Sequence, residues 1–237
     1  MKSEVIEYKD GGVTCLGYAA YDETITTPRP GIVLYADIFG VGNHVKNRAN
    51  KLAELGYVAL AADMFGGGQE LSSFDEGMAA MGGIVGDPAG WLSRAGAAVD
   101  ALTAMPQVDA SRTGAIGFCF GGSTVLVLAG QGRPLSGVVS FHGGLAVPPL
   151  IKGGVKAKVL VCTGAEDPVV PHDQVVAFEK DMTEAGVDWQ VISYGNAVHN
   201  FTNPEADGSM NPAILYNEPA DRRSWDAMKA FFEEVFA

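Results

Sequence analysis

The chain has 237 residues, 47% of them apolar and 19% charged, which is enough to bury a sizeable core in one or two domains. Its formal net charge of −12 argues against nucleic-acid or anionic-membrane partners, which call for a basic patch. Three cysteines, Cys15, Cys119 and Cys162, lie far apart with no CxxC pair, so neither a disulfide framework nor a zinc site is expected. The first ten residues, MKSEVIEYKD, contain no apolar signal core, and no run approaches 18 apolar residues. The expectation is a cytoplasmic protein without a membrane span.

In chain order, Val5–Tyr8 and Val13–Ala19 flank Asp10-Gly11-Gly12 and read as an antiparallel hairpin. Gly31–Ala36 is a buried-strand run, followed by a glycine-rich loop over Asp37–Asn43. His44–Gly56 reads as a helix closed by Gly56, and Tyr57–Ala62 as a second buried strand. Met64–Gly90 is glycine-rich and reads as loop with some helix. Trp91–Met105 reads as a helix ending near Pro106. Strands follow at Thr113–Phe118, Val138–Phe141, Val159–Thr163 and Trp189–Tyr194, with helices at Ser123–Ala129, Gln174–Ala185 and Arg222–Phe236. Apolar strands alternating with helices imply a mostly parallel sheet covered on both faces. No repeat, low-complexity tract or linker divides the chain. One doubly wound α/β domain over residues 1–237 is expected, preceded by the antiparallel hairpin.

The most informative run is Gly117-Phe118-Cys119-Phe120-Gly121-Gly122, where a strand turns sharply into a helix with a thiol at the tip. This is the G-x-S-x-G nucleophile elbow with cysteine in place of serine. A helix N-terminus also favours a thiolate. A cysteine nucleophile needs a base, and the base needs an orienting group. In α/β sheets these come from loops at the carboxyl ends of strands. Asp167 follows Val159–Thr163, with Glu166 beside it as the alternative acid. His199 follows Trp189–Tyr194. The order Cys119, Asp167, His199 is that of the α/β-hydrolase fold. Each residue also has a plain structural reading: Cys119 as a small core side chain, Asp167 as a cap. Of the other histidines, His142 follows Val138–Phe141 and borders the expected pocket, His172 opens a helix at the surface, and His44 opens the first helix.

An oxyanion hole is expected from the backbone N–H groups of Phe120 and of Ile38, in the loop Ala36–Gly42. Gly40-x-Gly42 is an incomplete dinucleotide fingerprint, no phosphate-binding P-loop is present, and no HExxH or clustered ligand set suggests a metal. No cofactor is expected.

With Asp37-Ile38-Phe39-Gly40, Gly117–Gly122, Gly164-Ala165-Glu166-Asp167 and His199-Asn200-Phe201 in place, the chain resembles the dienelactone hydrolase family over nearly its whole length. The resemblance implies a Cys–Asp–His hydrolase that opens enol-lactones through a thioester. In that family a glutamate precedes Ile-Phe-Gly and contacts the thiol; here Asp37 stands there, one methylene shorter. The family's arginines for the substrate carboxylate are missing: none lies in Asn200–Pro204, and Phe65–Gly90 holds no lysine or arginine. A neutral ester or lactone is therefore the expected small-molecule substrate, turned over by a monomer or small homo-oligomer. Other readings on the same fold are a general carboxylesterase, a thiol redox enzyme or sensor, and a non-catalytic binding protein.

Overall fold

The computed structural model describes residues 1–147 and 154–237. Among the described residues are eight strands and six helices, in the order β1 (Lys2–Asp10), β2 (Val13–Tyr21), β3 (Arg29–Tyr35), α1 (Asn43–Glu54), β4 (Val58–Ala62), α2 (Phe74–Val85), α3 (Pro88–Thr103), β5 (Val108–Phe118), α4 (Phe120–Gly130), β6 (Gly137–Phe141), β7 (Lys158–Gly164), α5 (His172–Ala185), β8 (Trp189–Tyr194) and α6 (Glu218–Val235). The strands form a mixed α/β sheet, as expected. The chain divides into two compact units, Met1–Ala115 and Ile116–Ala237, and β5 runs through the division.

In the first unit the strand order is β1-β2-β4-β3-β5. The β1–β2 hairpin is antiparallel from Lys2↔Tyr21 to Asp10↔Val13, β2 meets β4 antiparallel, and β3 meets β4 in parallel. Strand β4 is buried along its whole length and β3 nearly so, as their unbroken apolar runs dictate. Helix α1 stops where Gly56 adopts a left-handed φ of 91°. The stretch read as largely loop contains α2, capped by the Ser73 hydroxyl accepting from the Glu76 N–H. Asp63 organises the loop that follows β4. Its buried carboxylate accepts from the N–H groups of Leu16, Phe65, Gly66 and Gly68 at 2.7–3.1 Å. Four amide donors compensate the cost of burying that charge.

In the second unit the order is β5-β6-β7-β8, with β6–β7 and β7–β8 parallel. Strand β5 begins five residues before the apolar run suggests, because Asp109, Ser111 and Arg112 form a local polar cluster at its start. Helix α4 is buried on every side except at Ser123, so its sequence is apolar without an amphipathic stripe. Gly186 closes α5 in the left-handed conformation. Among the described residues no helix is long and apolar enough to cross a membrane.

Gly117 and Gly82 have opposite sensitivities to an added side chain. A Cβ on Gly117 would stand 1.9 Å from the Gly121 carbonyl oxygen, whereas Gly82 in α2 has nothing within 4 Å. Gly117→Ala should therefore destabilise by about 2–3 kcal/mol or more through overpacking. Gly82→Ala should stabilise by about 0.5–1 kcal/mol through helix propensity. Urea unfolding of both variants checks the opposite signs; a stable Gly117→Ala would mean that the turn relaxes easily.

Candidate active site

Cys119 sits between β5 and α4 with φ 54° and ψ −114°, a conformation that L residues rarely adopt. Two glycine contacts make the turn possible. Gly117 lies against Gly121, and Gly122 lies so close to Gly143 that a Cβ on Gly122 would be 2.7 Å from the Gly143 Cα. The Cys119 sulfur thus stands at the N-terminus of α4, where the helix dipole favours negative charge.

The parallel register of β6, β7 and β8 delivers their following loops to one edge of the sheet. Asp167 lies three residues beyond β7 and His199 five beyond β8. Their side chains meet: His199 Nδ1 is 2.8 Å from Asp167 Oδ2, and His199 Nε2 is 3.1 Å from Cys119 Sγ. Asp167 Oδ1 accepts the N–H groups of Val169 and Val170 at 2.8 and 3.3 Å, which fixes the carboxylate. Glu166, the alternative acid, is exposed. Asn196 and Asn200, both with φ near 60°, turn the chain on either side of His199. The segment before α6 pins this loop: Leu215 N–H donates to the His199 carbonyl at 3.1 Å, and Asn217 Nδ2 to the Asn196 carbonyl at 2.8 Å.

His142 is fully buried beside Cys119, and it meets that residue at the backbone: Nδ1 accepts the Cys119 N–H at 3.1 Å. Phe120 opens α4. Asp37 and Ile38 lie in the first unit, both buried in the loop after β3; Asp37 Oδ1 accepts the Phe39 N–H at 3.0 Å. His172 is exposed, and His44 accepts a 3.4 Å contact from Arg48 Nε. Among the described residues no group of three or more His, Cys, Asp or Glu is placed to hold a metal ion.

With this geometry in view, residues 16–236 match the dienelactone hydrolase family. The chain belongs to that family. It is similar to the crystal structure of P91, a dienelactone hydrolase-like promiscuous phosphotriesterase from metagenomic libraries, with 44% identity and a TM-score of 0.95 over all of this chain and 99% of that one. An uncharacterised Caenorhabditis elegans protein is 36% identical over 148 residues, 60% of this chain and 91% of its own length. A Synechocystis protein that carries the name carboxymethylenebutenolidase is 25% identical over 250 residues, 98% of this chain and 97% of its own. The chain is a carboxylic ester hydrolase, and the family's substrates are small esters or lactones.

Sequence reasoning missed Thr202, whose hydroxyl is 2.8 Å from His142 Nε2, and the Ile214–Asn217 segment that pins the His199 loop. Neither left a local signal, because both contacts depend on chain reversal beyond β8.

Burial alone would pull His199 toward its neutral form. The negative charge of the Cys119 sulfur, the hydrogen bonds to Asp167 and Cys119, and the Asp167 charge outweigh it and raise the imidazole from 6.5 to about 10. The raised value means that the imidazolium contributes stability fully below about pH 6.5 and loses it as pH climbs through about 10. Cys119→Ala removes the sulfur's charge, so the His199 titration followed by NMR should shift to lower pH. An unchanged midpoint would show that the sulfur is not what raises it.

Proposed function

We propose that Cys119, His199 and Asp167 form the catalytic triad of an ester or lactone hydrolase that works through a thioester. The carrying observation is the unbroken hydrogen-bonded chain from Asp167 through His199 to the Cys119 sulfur. In this reading His199 Nε2 takes the thiol proton and Asp167 holds the imidazole with its Nδ1–H directed at the carboxylate. The thiolate adds to the ester carbonyl carbon. The N–H of Phe120, at the start of α4, stabilises the oxyanion. The tetrahedral adduct collapses to a thioester, and His199 returns its proton to the leaving alkoxide. Water, deprotonated by His199, then hydrolyses the thioester to the free acid and restores the thiol.

The redox alternative is poorly supported. Cys162 is fully buried, its thiol is pushed up to about 12 by burial against the opposing pull of Tyr194, and its sulfur lies 3.8 Å from the Tyr194 hydroxyl. A resolving cysteine has to be accessible and readily deprotonated. A second substrate class follows from P91, described as a promiscuous phosphotriesterase. Neutral phosphotriesters would use the same nucleophile, the sulfur adding to phosphorus and an aryl oxide leaving.

Substrate charge is read from the cations. Arg94 is held by Asp10 at 2.7 Å and by the Met64 carbonyl, Arg222 is exposed beside Glu218 at 3.3 Å, and Arg48 contacts His44. These three arginines are thus engaged with partners of their own. A carboxylate buried without a cationic partner costs several kcal/mol.

Cys119→Ala should abolish hydrolysis of an activated aryl ester while the fold persists. His199→Ala should fall at least about 10³-fold, because nucleophile and base act as a unit. Mass spectrometry of an acylated peptide containing Cys119 is the direct positive result, and turnover by Cys119→Ala at the native rate would refute the nucleophile. A neutral ester or lactone should exceed its carboxylate analogue in kcat/KM by at least about tenfold. Equal turnover of the anion would reveal a cation in the pocket.

A further inference from the structure

We propose that His142 is a positioning residue that holds the Cys119 backbone in its reactive conformation, and that it does so only as the neutral tautomer protonated at Nε2. The proposal rests on Cys119 being the nucleophile, as argued above, and adds a function for a second buried histidine.

The contacts gather where β5 and β6 end, with β7 and the loop after β8 beside them. His142 directly follows β6, with φ 41° and no solvent exposure. Its own N–H donates to the Cys162 carbonyl at 2.8 Å, which fixes the backbone from which the ring projects. The Cys119 N–H is shared between the Phe141 carbonyl at 3.0 Å and His142 Nδ1 at 3.1 Å. A ring nitrogen that accepts an N–H carries no proton of its own. The proton of neutral His142 is then on Nε2, which stands 2.8 Å from the Thr202 hydroxyl oxygen and donates to it. The Cys119 N–H, which can only donate, therefore fixes the tautomer, and the Thr202 hydroxyl accommodates it by accepting the Nε2 proton.

The ring is held in place from several sides. Phe201 meets it edge-on with ring centroids 5.1 Å apart, and Phe118 lies at 6.2 Å. His199 also meets it edge-on, at 5.3 Å. A charged His142 would place a cation beside the imidazolium that His199 becomes, and it would point a second N–H at the Cys119 amide. Both are unfavourable, so the arrangement requires His142 to be neutral.

The consequence concerns geometry. The strained conformation of Cys119 persists only if its surroundings over-determine it. The glycine contacts permit that conformation, and the amide acceptors hold it. Losing the His142 acceptor should let the elbow relax, moving the sulfur from His199 Nε2 and from the oxyanion donor. Displacements of this kind lower the chemical step more than substrate binding.

The test uses three variants beside the wild type and Cys119→Ala. His142→Asn puts an amide oxygen where Nδ1 stands and tolerates a positive φ. His142→Leu fills similar space without an acceptor. Thr202→Val removes the acceptor for the Nε2 proton. Readouts are kcat and KM on a neutral aryl ester, the rate of Cys119 alkylation by iodoacetamide, and thermal unfolding. His142→Leu should lose about tenfold in kcat, the scale of one lost hydrogen bond, with KM little changed. His142→Asn should remain within about threefold of the wild type, since it restores that bond. Thr202→Val should fall between them. Nitrogen-15 NMR of wild-type His142 should show a protonated Nε2 and a bare Nδ1, and this holds even if His142→Leu does not fold. The opposite tautomer, or equal kcat and alkylation rates in His142→Leu and the wild type, would overturn the proposal. So would a His142→Asn variant as slow as His142→Leu. Native turnover by Cys119→Ala would instead overturn the nucleophile reading beneath it.

Discussion

The left-handed backbone of Cys119 is the constraint from which the arrangement of the site follows. A φ of 54° brings a strand and a helix together at one residue and turns the sulfur outward at the helix start. The conformation is possible only because Gly117 packs on Gly121 and Gly122 on Gly143, where a Cβ would come within 1.9 and 2.7 Å of backbone. The second contact ties the elbow to the residue after His142, so β5, β6 and α4 are fixed to one another by bare backbone. Side chains at these glycines would move the sulfur before they affected any other part of the chemistry.

Once the sulfur is fixed, the parallel sheet supplies its partners. Strands β7 and β8 pair from Val159↔Trp189 to Gly164↔Tyr194, so their carboxyl ends finish level and their loops leave from the same edge. Asp167 and His199 reach each other across that edge although 32 residues separate them in sequence. A buried ion pair is costly unless its remaining hydrogen-bonding capacity is used. Here Asp167 accepts two backbone amides in addition to His199, and the His199 loop is pinned by Leu215 and Asn217. Two buried histidines therefore sit side by side, edge to face, with different partners. His199 is drawn toward its cation by the Cys119 sulfur and the Asp167 carboxylate. His142 has a hydroxyl on one nitrogen and a backbone amide donor on the other.

What was legible in the sequence divides along the same physical line. The sharp strand-to-helix turn at Cys119, the positions of Asp167 and His199 just after their strands, and the helix stops at Gly56 and Gly186 are encoded by residues close in sequence, and the structure has them where the pattern implied. Helix α2 was also encoded locally, by Ser73 and Glu76 at capping-box spacing, but its three internal glycines and the triple glycine before it masked the signal. The beginning of β5 was hidden by its polar residues, which bond among themselves as turn residues do. The contact of His142 with the Cys119 amide spans 23 residues, its contact with Thr202 spans 60, and the amides that converge on Asp63 include one 47 residues away. Contacts of this length leave no periodicity and no motif, since each depends on how two separate elements pack.

The chain carries three thiols, and the structure distinguishes them by environment. Cys15 and Cys162 are fully buried in strands, and burial pushes both thiols up, Cys162 to about 12. At that value a thiol remains protonated at neutral pH and behaves as a small apolar side chain. Cys119 is the one of the three that is partly exposed, the one at a helix N-terminus, and the one with an imidazole nitrogen 3.1 Å from its sulfur. Strand interiors thus protect two sulfurs from electrophiles by the same desolvation that stabilises the sheet, while the elbow lifts the third out of it. Selectivity for one cysteine arises from the fold itself, and no further device is needed to keep the other two silent.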